Sequence, residues 1–224
     1  MKNNMKAEHK IIIGISIVVA VLVSLGVYNY KQNKSKEMDS IKNTVADKSL
    51  LIREDSKTVG PSNAKITLVE FADFECEACA AAHPILQKIL KEYDGKIQFV
   101  FRHFPNHFNS MLAAKSAEAA GQEGKFWEMH DKLLENQLEW GEKKVPVTEA
   151  FVKYAKEIGI NVPTFTDLIS GKTFEEKILR DKQDGIALGV RATPTFYLNG
   201  KKYEGIPPYE ELKKIIDKEL GITN

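Results

Sequence analysis

The chain carries two cysteines, and they stand together as Cys76-Glu77-Ala78-Cys79. An apolar, strand-like run precedes them and a helix-like run follows. A helix N-terminus offers unpaired backbone N–H groups and partial positive charge, and both favour a thiolate over a thiol. Two thiols at this spacing can close a disulfide within one helical turn. One can then attack a partner's disulfide while the other resolves the mixed disulfide. The pair reads first as a redox centre. A metal reading competes, because Cys76, Cys79 and His83 are spaced C-x2-C-x3-H. A structural zinc site needs four protein ligands as a rule, and the chain has no further cysteine. Only the fold could recruit His103 or His107. The expectation is therefore no metal and no cofactor, with His83 a partly buried residue beside Pro84.

Two other features could join such a centre. Glu70 lies in an apolar run, six residues before Cys76. A carboxyl turned inward there needs a reason for its burial. It could take and return the proton of Cys79, or it could pair with a cation such as Arg102. Further on, Ala192-Thr193-Pro194-Thr195-Phe196 places a proline at a strand start after threonine, which fits a cis peptide. In a redox fold that arrangement exposes the backbone before the proline to an extended substrate segment, by strand addition. The plainer alternative is an ordinary strand-start proline.

The elements that must position these residues are legible in part. Leu50-Leu51-Ile52 reads as an edge strand and Gly60-Pro61-Ser62-Asn63 as a turn. Lys65–Phe71 is β-branched and apolar, a buried strand. After the cysteines, Ile85, Leu86, Ile89, Leu90 and Tyr93 recur at helical spacing, and Asp94-Gly95 ends that helix. Ile97–Phe101 is the next strand, so strand, helix and strand form a parallel βαβ unit. A long helical stretch follows: Met111–Gln122, Phe126–Leu138, a helix capped by Thr148, and Thr173–Leu188. Strands return at Thr195–Leu198 and Lys201–Glu204 around an Asn199-Gly200 hairpin signal. Pro207 and Pro208 open a last helix. This order describes an α/β, thioredoxin-like fold with an inserted helical subdomain at about 107–188.

The 224 residues carry a net charge of +1, without the basic excess of a nucleic-acid binder. The N-terminus differs from the rest. Ile11–Val27 contains no charged residue and, extended through Tyr28 and Tyr30, reaches the ~20 residues that cross a bilayer. Lys2, Lys6 and Lys10 precede it. The run exceeds a signal-peptide core and no Ala-x-Ala site follows it, which favours an uncleaved anchor over a cleaved signal. The expected organisation is a cytoplasmic tail at 1–10, a transmembrane helix or signal segment at 11–30, a flexible linker at 31–48 and a redox domain at 49–224. The domain would then lie outside the cytoplasm at the cell membrane, or be secreted if the segment is cleaved. Disulfides persist there.

Several stretches together resemble the DsbA family, in its membrane-anchored or secreted branch. They are Val69-Glu70-Phe71-Ala72-Asp73-Phe74-Glu75-Cys76-Glu77-Ala78-Cys79, His83-Pro84, Phe104-Pro105, Gly124–Asp131 and Gly189–Phe196, within a similarity from about Leu50 to Leu220. The resemblance implies thiol–disulfide exchange on unfolded exported proteins, with disulfide formation as the main direction and reduction as the alternative. It implies Cys76 as nucleophile, Cys79 as resolving cysteine, Glu70 as the buried acid and Thr193-Pro194 as the substrate-facing loop. It also implies a membrane partner that reoxidises the pair. No dimerisation module is visible, so a monomer is expected. A non-catalytic domain that binds metal or a partner is the remaining alternative. One departure stands out. The family commonly has Pro and then an aromatic or His between the cysteines, where this chain has Glu77-Ala78. Glu75 and Glu77 are expected to disfavour the Cys76 thiolate, so Glu77 and Ala78 are the positions expected to tune its pKa.

Overall fold

The computed structural model describes residues 24–32 and 47–222. The chain divides into two units after residue 44. Of the first, residues 24–32 are described: an exposed helix, α1. Among the described residues no helix is long and apolar enough to cross a membrane. The expected tail at 1–10, most of the span at 11–30 and most of the linker at 31–48 lie outside the described residues.

The second unit is built on a five-stranded sheet, in the order β1-β3-β2-β4-β5. The strands are β1 (Lys57–Val59), β2 (Ile66–Ala72), β3 (Ile97–His103), β4 (Thr195–Leu198) and β5 (Lys201–Glu204). β2 and β3 run parallel, joined by α3 (Glu77–Glu92). The β4–β5 hairpin turns through Asn199 and Gly200, both at positive φ (47° and 81°), as a tight primed turn requires. Six helices, α4 (Ser110–Gln122), α5 (Phe126–Glu135), α6 (Gln137–Trp140), α7 (Thr148–Glu157), α8 (Val162–Ser170) and α9 (Glu175–Ala187), intervene between β3 and β4. The α/β fold with a helical insertion is therefore as expected. The last helix, α10 (Tyr209–Leu220), follows Pro208.

β2 is covered on both faces, which is why it reads as a continuous apolar run. Alternate side chains go to opposite layers. Ile66, Leu68 and Ala72 join the core that holds Cys79, Leu86, Ile89, Leu212 and Ile216. Val69 and Phe71 join a smaller core with Leu51, Val100, Phe104, Val190 and Tyr197. By this alternation Glu70 belongs to the layer of the cysteine helix. Arg102, on β3, belongs to the other.

Four expectations are corrected. Leu50-Leu51-Ile52 is not an edge strand. Lys48–Leu51 forms a short helix, α2, whose N-cap Asp47 accepts the Ser49 N–H at 2.9 Å. Its final carbonyls, Leu50 O and Leu51 O, accept from Arg102 Nη1 at 2.7 and 2.9 Å. A local cap and a distant guanidinium thus supply what the apolar triplet does not show. The edge strand is Lys57–Val59, too short and polar to announce itself. The expected helix 126–138 breaks at Asn136 into α5 and α6. Thr148 is the first residue of α7 rather than its cap, which is Val147. α8 is a separate helix within the expected helical stretch: Asn161 caps it with a 3.1 Å bond from Thr164 N–H, and Pro163 sits in its first turn.

The fully buried Arg102 ties three elements together. Beyond the α2 carbonyls, its Nη2 lies 2.8 Å from Asp181 Oδ1 and 2.6 Å from Asp184 Oδ2, both on α9. Asp184 also takes Arg53. Removing the guanidinium would strand buried carboxylates. Arg102→Ala is expected to lower the unfolding free energy by about 3–5 kcal/mol, read as a lower urea midpoint with unchanged m-value.

Candidate active site

The cysteines occupy the junction that the sequence assigned to them. Cys76 is the N-cap of α3, with extended backbone (φ −77°, ψ 119°). Its carbonyl accepts the N–H groups of Cys79 (2.9 Å) and Ala80 (3.2 Å). Cys79, one turn in, is 1 % exposed and packs in the main core, while Cys76 is half-buried. Both are free thiols.

This difference in burial splits their acidities. The Cys76 thiol is pulled down to about 5. The largest cause is the hydrogen bond it receives from Cys79. Partial burial opposes this, and hydrogen bonds from the Thr193 side chain and from the N–H groups of Cys79 and Ala78 add to it. Burial drives the Cys79 thiol well above its ordinary value, helped by its bond to Cys76 and by the charge of Glu70. The acidic neighbours expected to suppress the Cys76 thiolate, Glu75 and Glu77, are not among the leading causes of this shift. Glu77 is exposed, where solvent screens it. Glu75 is buried and engaged elsewhere, its Oε2 accepting the Asn109 N–H at 2.5 Å. Ala78 acts through its backbone N–H, not its side chain.

Glu70 is 3 % exposed and, among the described residues, has no cation beside it, because Arg102 is engaged on the opposite layer. Burial, and to a lesser degree the Cys76 charge, raises its carboxyl to about 8. It therefore keeps its proton at neutral pH. Of the two sequence alternatives, the ion pair with Arg102 is excluded.

The Thr193-Pro194 peptide is cis. The Cys76 thiol donates to Thr193 O at 3.3 Å, so the loop before β4 faces the reactive sulfur. Beside Cys76 an open cleft of roughly 500 Å³ is lined by Glu75, Cys76, Glu77, Ala78, His107, Glu142 and Lys144. His83 turns elsewhere. Its ring meets His130 and Asp131 of α5, and neither cysteine joins them in a metal-ligating group among the described residues. The C-x2-C-x3-H pattern does not form a single site.

A model of the family described as thioredoxin matches residues 53–218. The chain belongs to this family. Its fold superimposes on a double cysteine-to-alanine variant of Wolbachia pipientis alpha-DsbA1 with a TM-score of 0.71 and 25 % identity, over 77 % of this chain and 94 % of that one. Oxidised BdbD from Bacillus subtilis gives a TM-score of 0.68 and 30 % identity, over 74 % and 93 % of the two chains. These relatives make it a DsbA-like member of the thioredoxin superfamily and support thiol–disulfide oxidoreductase chemistry. A curated relative, the Na(+)/H(+) antiporter NhaA 3 of Salinispora tropica, is 35 % identical over 67 % of this chain. The chain spans 22 % of that protein's length, so transport does not carry over from it.

Three further residues join this DsbA-like site. Gln137, on α6, donates through Nε2 to Phe74 O (2.7 Å) and Cys76 O (2.9 Å). Asp73 accepts Glu75 N–H at 2.9 Å through Oδ1, and Asn106 N–H at 2.7 Å through Oδ2. His107 Nδ1 lies 2.6 Å from Asp73 Oδ2. Burial alone would lower the His107 pKa, but that bond and the charges of Asp73, Cys76 and Glu75 raise it overall. Asp73 sits in the motif-bearing stretch and could have been found there. No local signal marks Gln137, which lies 61 residues from Cys76.

The split acidity is directly measurable. In the reduced protein, alkylation of Cys76 is expected to rise with a midpoint near pH 5, with Cys79 inert across the neutral range. Thr193→Val should move the Cys76 midpoint upward. The folded Cys76 value lies below its ordinary 9.0. Its stabilisation of the reduced fold is therefore fully present above pH 9, declines below it and is gone below about pH 5. A midpoint at or above about 8, close to that of a free thiol, would contradict this geometry.

Proposed function

We propose that the chain is a protein disulfide-forming oxidase held at the outer face of the cell membrane and acting on unfolded exported proteins through the Cys76–Cys79 pair. The observation that carries this reading is the split between an accessible, low-pKa Cys76 and a buried, high-pKa Cys79 beside the Thr193-Pro194 loop. A stabilised Cys76 thiolate favours the reduced pair, which makes the disulfide the stronger oxidant. Reduction is the reverse of the same exchange, and this asymmetry opposes it. Export is supported by the charge-free run Ile11–Val27 behind Lys2, Lys6 and Lys10.

A substrate thiolate attacks Cys76 Sγ of the Cys76–Cys79 disulfide. The S–S bond breaks, a substrate–Cys76 disulfide forms, and Cys79 leaves as a thiolate. That buried anion takes the proton of the Glu70 carboxyl, whose raised pKa keeps it protonated until then. Pairing of the substrate backbone at Thr193 holds it in place. A second substrate thiolate then attacks the substrate's own sulfur in the mixed disulfide and expels the Cys76 thiolate. The product carries a new disulfide and the pair is left with two electrons. A membrane redox partner must remove them, and it would do so by the same exchange at Cys76.

Oxidation of a reduced, unfolded model protein by the oxidised full chain tests this. Wild type should act stoichiometrically, and neither Cys76→Ser nor Cys79→Ser should act at all, because neither can hold the disulfide that a substrate thiolate attacks. Equal rates for wild type and Cys76→Ser would end the enzyme reading. Equilibration against glutathione should give a potential nearer to about −120 mV than to about −270 mV; a value near the latter would assign the reductase direction instead. Glu70→Gln is expected to slow exchange by about 10²-fold and to remove any dependence of the rate on a group titrating near pH 8.

A further inference from the structure

His83 on α3 and His130 on α5 are both buried, with rings 5.3 Å apart at 65°. Neither belongs to the disulfide site. Among the described residues, His83 Nδ1, His83 Nε2 and His130 Nε2 have no hydrogen-bond partner. Leaving buried polar atoms unsatisfied is costly, and such atoms call for an explanation. Asp131 stands between the rings. Its Oδ1 lies 2.8 Å from His130 Nδ1 and 3.5 Å from His83 Nε2. One nitrogen of each ring and one carboxylate oxygen fall within 4.8 Å of one another.

Those spacings suit a shared cation. Zinc bonds of roughly 2.0–2.2 Å place neighbouring ligand atoms about 3.3 Å apart in a tetrahedron. Two imidazoles and one carboxylate are borderline donors, which suit zinc, copper, cobalt or nickel and not magnesium or calcium. The Asp131 side chain is 42 % exposed, and a groove of about 400 Å³ beside it, lined also by Leu86, Gln87 and Trp127, gives entry and room for a water ligand.

We propose that His83, His130 and Asp131 form a divalent transition-metal site, with zinc as its natural class of ion, that joins the cysteine-bearing helix α3 to the first long helix pair of the insertion through α5. His83 and His130 supply neutral ring nitrogens, Asp131 supplies the anionic oxygen, and water completes the tetrahedron. The site is separate from the thiols and does not rest on the oxidase reading. Metal here clamps the two layers on which the geometry of the cysteine helix depends.

The test uses the full chain with Cys76 and Cys79 oxidised, so that thiolates cannot bind the metal. Titration with zinc chloride, followed calorimetrically, should give one equivalent and a rise in melting temperature. Asp131→Asn, at a partly exposed position, should fold normally yet weaken zinc binding at least about tenfold and abolish the rise. His83→Gln should do the same, with circular dichroism confirming its fold. Cobalt should give the visible bands of a tetrahedral nitrogen–oxygen site without thiolate charge transfer. Absence of zinc binding to the folded, oxidised wild type, or binding unaffected by either substitution, overturns the proposal.

Discussion

Burial of one thiol and half-burial of the other, three residues apart on the same helix start, is the constraint on which the site depends. Cys76 caps α3 where the N–H groups of Ala78 and Cys79 turn toward its sulfur, and Cys79 lies one turn deeper in the core. Water is excluded from the second sulfur but not from the first. The same helix therefore holds one group that prefers charge and one that refuses it. The other groups at the site either sharpen that difference or move a proton across it.

Glu70 belongs to the second role. β2 alternation delivers its carboxyl to the layer of the cysteine helix, with hydrocarbon around it and, among the described residues, no cation. Arg102, one strand over, has the opposite facing and is consumed by Asp181, Asp184 and the α2 carbonyls. The sheet thus sorts two buried charged residues by parity alone. One becomes a structural cross-link and the other a protonated acid next to a thiol.

The helical insertion does more than cover the sheet. Gln137 takes two carbonyls of the redox loop, Asn109 takes the Glu75 carboxylate, and His107 joins Asp73 at the cleft. Glu75, an unfavourable neighbour of Cys76 on paper, is thereby drawn inward as a loop fastener. Glu77 stays in water. The acidic character of the motif is present in composition and largely cancelled in space.

Much of this was legible in the chain. Cys76-Glu77-Ala78-Cys79 after an apolar strand and before a helical period, Pro194 at a strand start, and the βαβ-then-hairpin order determined the fold class and the nucleophile candidates, because local periodicity and turn chemistry carry that information. Leu50–Ile52 misled, since an apolar triplet cannot show that its carbonyls will be met by Arg102, which lies 51 and 52 residues on from Leu51 and Leu50. The spacing of Cys76, Cys79 and His83 left a shared metal site as the lesser alternative, and the fold gives His83 to His130 and Asp131 instead. Only tertiary structure could decide which carboxylate near Cys76 is screened, which is tied down and which is buried with its proton. Acidity depends on desolvation and on partners across space, and neither is a property of neighbours along the chain.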